Sequence, residues 1–328
     1  MSFKIYKIKS LRKFLIVGIM LAILFSPKIK DYAMPSDTPA SKPVLLSHYN
    51  SLFSHLKQAG FNFEDIQELF QDPRVEYYGY IAISLYQPPE MDNYSSIYFH
   101  SENETYEIDE FIDRYGEQLK EAEQHYGVDL EAIVAVLFVE TKIGKIVGKY
   151  SVFNVLSSLA VADNPESLAK IENHVNEQYH YLSYDGRQDL INIYQERAIR
   201  KSFSARAEFT SLMQLHFDSH IDINELPGSY AGAFGYPQFM PSNVTRYGID
   251  GDNDGKIDLY NYTDAIMSVG NFLSKKGWTE DTDRQQRALL RYNNSRAYVA
   301  NVLETANSIR EDMDIIGQTD PLLYNSEE

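Results

Sequence analysis

DLEAIVAVLFVETKIG, residues 129–144, is apolar from Ile133 to Val139 and then sets one carboxylate, Glu140, at its far end. Asp129 is a residue type that caps a helix at its start, and Gly144 is one that stops it. An unbroken apolar run leaves no polar face, so the stretch predicts a buried helix. A carboxylate in the last turn of such a helix is partly desolvated and meets the negative end of the helix dipole. Both effects disfavour the anion and raise the expected pKa. A carboxyl group kept protonated near neutral pH serves as a general acid. The plainer role for Glu140 is a helix-end side chain that reaches water or pairs with Lys142 or Lys145.

The 328 residues around this helix are 44% apolar and 23% charged, which marks a folded chain of one large domain or two smaller ones. A net charge of −17 argues against nucleic acid and anionic membrane surfaces as electrostatic partners. The absence of cysteine removes disulfides, thiolate metal sites, thiol nucleophiles and any lipid-attachment cysteine.

Lys4, Lys7, Lys9, Arg12 and Lys13 precede the apolar run Phe14–Phe25. That is a secretory signal pattern, and it is short for a membrane span of roughly 20 residues. Residues 1–33 are expected to be a signal peptide or signal anchor, with a buried helix as the alternative. Residues 34–43 read as a linker. Export without cysteine suits a periplasm or cell surface.

Helical spacing recurs near Ser47–Leu56 and over Glu64–Phe70, Asp109–His125, Ser151–Ala162, Pro165–Leu182, Asp189–Phe217, Thr263–Lys276 and Ser295–Arg310. Alternation between Arg74 and Leu85 suggests an extended segment. Other strand signals are few, so the class is mainly α.

GSYAGAFGYPQFMPS, residues 228–242, mixes glycine, aromatic rings and one amide, Gln238. Glycines allow close backbone approach to a ligand. Rings and amides suit the C–H faces and polar groups of a sugar. With no lysine or arginine, the stretch does not suit phosphate; a structural glycine-aromatic loop is the alternative. DGDNDGKID, residues 250–258, places Asp250, Asp252, Asp254 and Asp258 at calcium-loop positions 1, 3, 5 and 9, with Gly255 at 6 and the Lys256 carbonyl at 7. Asn261 stands where a bidentate Glu is usual, and Asp264 is the nearest substitute. An acidic turn that needs no ion is the other reading. His216 and His220 have metal-ligand spacing, but Phe217 breaks the protease motif, and surface histidines explain them better. With 25 tyrosines in the chain, any single one is first a packing residue.

FVETKIGKIVGKYSVFNVLSSLA (138–160), the 228–242 stretch, the acidic loop and RYNNSRAY (291–298) occur in the order of the membrane-bound lytic murein transglycosylase B family, which the chain resembles over roughly 120–305. The resemblance implies a lysozyme-like helical fold with an additional N-terminal helical segment and an EF-hand-like loop, over a catalytic domain of 44–315 and a polar tail of 316–328. It implies non-hydrolytic cleavage of the MurNAc–GlcNAc β-1,4 bond of peptidoglycan glycan strands by a monomer. Glu140 would be acid and then base, giving a 1,6-anhydro product. Ser229, Gln238, Tyr292, Asn293 and Tyr298 would contact sugar, and Asp250, Asp252, Asp254, Lys256 and Asp264 would hold Ca²⁺. Ile143 departs from a Trp in the family pattern and Phe272 from a Tyr, and the lipoprotein cysteine is missing. A hydrolytic muramidase and an inactive peptidoglycan-binding scaffold are the alternatives.

Overall fold

The apolar run forms the interior of a helix, Leu130–Thr141, and Ile133 to Phe138 are all buried. This is a computed structural model, and it describes residues 46–79, 81, 102–219 and 221–319. Helices dominate, as the periodicity predicts. In order they are α1 (Asn50–Gln58), α2 (Phe63–Gln71), α3 (Glu102–Tyr126), α4 (Leu130–Thr141), α5 (Val152–Ala160), α6 (Pro165–Gln178), α7 (Tyr184–Ser219), α8 (Pro241–Tyr247), α9 (Tyr262–Lys275), α10 (Thr282–Tyr292) and α11 (Arg296–Thr319). Among the described residues the strands are β1 (Tyr150–Ser151) and β2 (Pro227–Gly228), antiparallel, with Tyr150 opposite Gly228. The signal segment and linker expected before residue 44 lie outside the described residues. α11 runs past the expected Arg310 to Thr319, and the tail beyond 319 also lies outside.

The chain sorts into two compact units, whose boundaries fall inside α4 and at Gly270 inside α9. One unit holds described residues 102–139 and 270–319. In it, α3 bends at Tyr115, whose φ and ψ are −116° and 20°. The Glu123 carboxylate accepts the Leu130 N–H at 3.0 Å and so caps α4. The Asp129 side chain, the expected cap, instead accepts the Trp278 indole N–H at 3.0 Å. Its backbone carbonyl still takes the N–H groups of Ala132 and Ile133. Burying a side chain such as Ile133 or Leu137 stabilises by about 1.5–3 kcal/mol. That outweighs the helix penalty of the β-branched residues, at most about 0.7 kcal/mol each. α10 did not show in the sequence because only Ala288 and Leu289 of its side chains are buried.

The other unit holds residues 140–269 and the described residues before 82. α7 is its spine: α5, α6, α8 and α1 all pack on it. The core is aromatic. Phe70 lies 4.7 Å from Tyr49, 4.9 Å from Phe53 and 4.9 Å from Phe153, and Phe153 lies 5.1 Å from Phe209, centroid to centroid. A second cluster joins Ile171 and Val175 to Ile191, Tyr194 and Ala198.

The segment expected to be extended is not a strand over 75–78. Side chains of α5 tether it instead. Asn154 donates to the Arg74 carbonyl at 3.0 Å and accepts the Glu76 N–H at 3.1 Å, and Ser158 accepts the Tyr78 N–H at 2.8 Å. These polar side chains supply the partners that a neighbouring strand would have given. Residues 82–85 of that segment lie outside the described residues.

Candidate active site

Glu140 sits in the last turn of α4 and is 7% exposed. The chain then leaves the helix through Lys142, Ile143 and Gly144, with φ of 52°, 52° and 77°. A left-handed β-branched residue such as Ile143 is a backbone outlier that costs on the order of 1–3 kcal/mol and persists only when its surroundings impose it. The surroundings are polar and specific. Thr141 Oγ1 donates to the Tyr236 carbonyl at 2.9 Å and accepts the Gly144 N–H at 3.0 Å. The Thr141 carbonyl accepts the Ile146 N–H at 2.9 Å. The Tyr262 hydroxyl donates to the Ile143 carbonyl at 3.0 Å. Gly144 fits here because a β-carbon would lie 2.6 Å from the Tyr236 ring and 2.7 Å from the Tyr262 oxygen.

The glycine-aromatic loop lies in the same unit. Gly148, four residues beyond Gly144, packs backbone to backbone against Gly228, where β2 ends. Ser229 Oγ accepts the N–H groups of Ala231 at 3.3 Å and Ala233 at 3.1 Å. Neither bond uses the hydroxyl's own proton. Phe234 and Phe239 exchange backbone hydrogen bonds of 3.0 and 3.1 Å and close the loop. Gln238, left-handed with φ of 49°, donates its amide to the carbonyls of Gly235 at 2.9 Å and Val147 at 3.3 Å. Both amide hydrogens are consumed inside the fold. Gln238 can offer a ligand only its carbonyl oxygen, narrower than the donor-and-acceptor role its residue type suggests.

Carboxylate oxygens of Asp250, Asp252 and Asp254 lie within 4.8 Å of one another. Backbone N–H groups fold the loop around them: those of Asp254 and Gly255 reach Asp250, and that of Lys256 reaches Asp254. Hard oxygen donors gathered this way fit Ca²⁺. Asp264 stands outside the three. It is 1% exposed, and its two oxygens accept the N–H groups of Gly251 at 2.8 Å and Asp258 at 2.7 Å. Burial pushes its carboxyl upward, against the opposing pull of those N–H groups. The Asn261 amide donates to Asp252 at 2.6 Å. The loop's end is bonded to the sugar-suited stretch and to the residue before it: the Leu259 carbonyl accepts the Tyr236 N–H at 2.9 Å, and the Tyr260 hydroxyl donates to the Pro227 carbonyl.

Glu140, Ser229, Gln238 and the acidic loop thus belong to one unit. Tyr292, Asn293 and Tyr298 belong to the other, where Tyr292 packs against Phe272 at 4.8 Å and stacks with Tyr298 at 6.0 Å. Tyr298 is fully buried and Asn293 is 6% exposed. His216 Nδ1 lies 2.6 Å from the Ile221 carbonyl, and His220 lies outside the described residues. Tyr262 escaped the sequence reading, as did the bonding roles of Thr141 and of Tyr236, whose ring reads from the sequence only as a flat face for sugar. The available signal was a threonine with a glycine three residues on, a local hydroxyl turn at a helix end.

Comparison with known proteins accords with this geometry. The family described as "Transglycosylase SLT domain" matches residues 47–288. Membrane-bound lytic murein transglycosylase B of Escherichia coli (strain K12) is 33% identical over 170 residues, 52% of this chain and 37% of that protein. The chain thus matches well under half of that relative's length. The soluble lytic transglycosylase SltB1 of Pseudomonas aeruginosa superposes with a TM-score of 0.63 at 23% identity, covering 80% of this chain and 99% of that one. The Escherichia coli lytic transglycosylase Slt35 in complex with calcium superposes with a TM-score of 0.62 at 20% identity, covering 81% and 93%. The fold is therefore the lysozyme-like helical one of lytic transglycosylases, and the chain belongs to the transglycosylase SLT domain family.

Proposed function

We propose that this chain is a lytic transglycosylase acting on peptidoglycan glycan strands, with Glu140 as both acid and base. The observation that carries the reading is a buried carboxylate in the last turn of α4, with its exit turn bonded to a loop, 228–242, that offers a hydroxyl and an amide oxygen and contains no acidic residue of its own. Ordinary glycosidases use two carboxylates. A single one suffices when the substrate supplies its own nucleophile. Glu140 protonates the glycosidic oxygen and the bond from C1 to that oxygen breaks. The MurNAc 6-hydroxyl then closes onto C1 and returns its proton to Glu140. The balance needs no water and leaves a 1,6-anhydro end. Ser229, with an O–H to donate, and Gln238, with a carbonyl oxygen to accept, suit the acetamide and hydroxyls beside the scissile bond. Tyr292 and Asn293 would be further substrate contacts of this reading; Tyr298, fully buried and stacked on Tyr292, would back that ring and not touch sugar itself.

Asp250, Asp252, Asp254 and the Lys256 carbonyl would hold Ca²⁺, with Asp264 bracing the loop from α9. The ion would tie the loop together. The protein would act after export, in a periplasm or at a cell surface; among the described residues no helix is long and apolar enough to cross a membrane. Mass spectrometry of digested sacculi tests the chemistry. The expected products carry anhydro ends, one water lighter than hydrolytic products. Reducing ends alone would make the chain a muramidase, and undigested sacculi would leave a binding scaffold.

A further inference from the structure

We propose that Tyr262 is a positioning residue for Glu140, acting through the carbonyl of Ile143; the inference rests on the reading of Glu140 as acid and base. The turn that follows Glu140 is left-handed at three successive residues, two of them not glycine. A conformation of that kind relaxes unless something holds it. Thr141 and Ile146 secure its two ends, and the Tyr262 hydroxyl grips its middle. Tyr262 is itself well placed to do so. Its ring stacks on Tyr236 at 4.2 Å and 19°, and the Tyr236 backbone is bonded to both Thr141 and Leu259. Tyr262 also opens α9, the helix whose Asp264 receives the acidic loop. One hydroxyl therefore fastens the residues after Glu140 to a helix more than a hundred positions away in the chain. A small drift of an acid relative to the oxygen it protonates costs rate while leaving substrate affinity nearly intact.

Tyr262→Phe removes the hydroxyl and keeps the ring stack. With the full chain and solubilised glycan strands, kcat is expected to fall about tenfold while KM stays within about twofold. Hydrogen exchange at the Gly144 and Ile146 amides is expected to quicken at least tenfold. Val175→Ala, in the separate α6–α7 cluster, controls for general destabilisation: its melting temperature falls and its kcat does not. A wild-type kcat in Tyr262→Phe overturns the inference, and so does an equal loss of kcat in Val175→Ala. If the wild-type chain leaves glycan strands intact, the functional reading fails separately. Exchange then decides: faster exchange at those two amides upholds the hold on the turn, and unchanged exchange overturns it.

Discussion

Gly148 approaches Gly228 so closely that a β-carbon on it would lie 2.1 Å from the Gly228 carbonyl oxygen. Backbone meets backbone there, between the chain leaving Glu140 and the strand that leads to Ser229. Gly148→Ala is expected to destabilise by more than about 2 kcal/mol, from a φ of 90° plus a forced backbone shift. Gly60→Ala is the comparison. Its φ is 98°, but nothing lies within 4 Å of a β-carbon there, so it should cost only about 1 kcal/mol. Equal losses in urea unfolding would refute the close-approach argument.

Glu140→Gln keeps the shape and hydrogen-bonding span of the side chain and removes the transferable proton. Sacculus digestion should drop by a factor of about 10² or more, with the melting temperature unchanged or higher. Digestion at the wild-type rate would place the acid elsewhere.

Calcium should raise the melting temperature where magnesium does not, since Asp250, Asp252 and Asp254 gather carboxylate oxygens within 4.8 Å of one another, and Ca²⁺ tolerates irregular oxygen shells that Mg²⁺ does not. At a hundredfold excess over Kd the gain is about 2.7 kcal/mol. Asp252→Ala with Asp254→Ala should abolish the shift. A shift that survives the double substitution would move the ion away from this loop.

Asp72 and Arg74 predict an acid-sensitive component of stability. Arg74 donates to Asp72 at 2.6 and 2.9 Å and holds its carboxyl well below the ordinary value of 3.8. A depressed carboxyl stabilises the fold above its unfolded value, and the gain fades as pH falls through and below 3.8. Arg74 is 41% exposed and Asp72 20%, so solvent screening keeps the contribution small. Asp72→Asn should therefore lose stability at pH 7 and converge on the wild type in strong acid. Parallel urea curves for the two proteins from pH 7 to pH 2 would disprove it.

What the sequence reveals and what it hides follow from how each feature is encoded. α4 is legible because an unbroken apolar run has one stable fate. α10 is not, because Ala288 and Leu289 give too thin a period. The aromatic stretch after Arg74 alternates like a strand, yet its backbone partners are side chains of Asn154 and Ser158, which no local pattern announces. Glu140, Ser229 and Gln238 stand out by residue type and order. The left-handed backbone at Ile143 and Gln238 does not, because neither is glycine and both are held by distant partners.

A helix with one polar side chooses its own rotation, because turning it would drag polar groups into the core. Between Ile133 and Val139, α4 has no such side, so apolar burial is nearly indifferent to how the cylinder is turned about its axis. Successive residues advance by about 100° around that axis. The bearing of Glu140 is therefore set by polar bonds at the ends of the helix, those of Glu123 and Asp129 before it and of Thr141, Ile143 and Ile146 after it, much as a key is turned by its bow and not by its shaft.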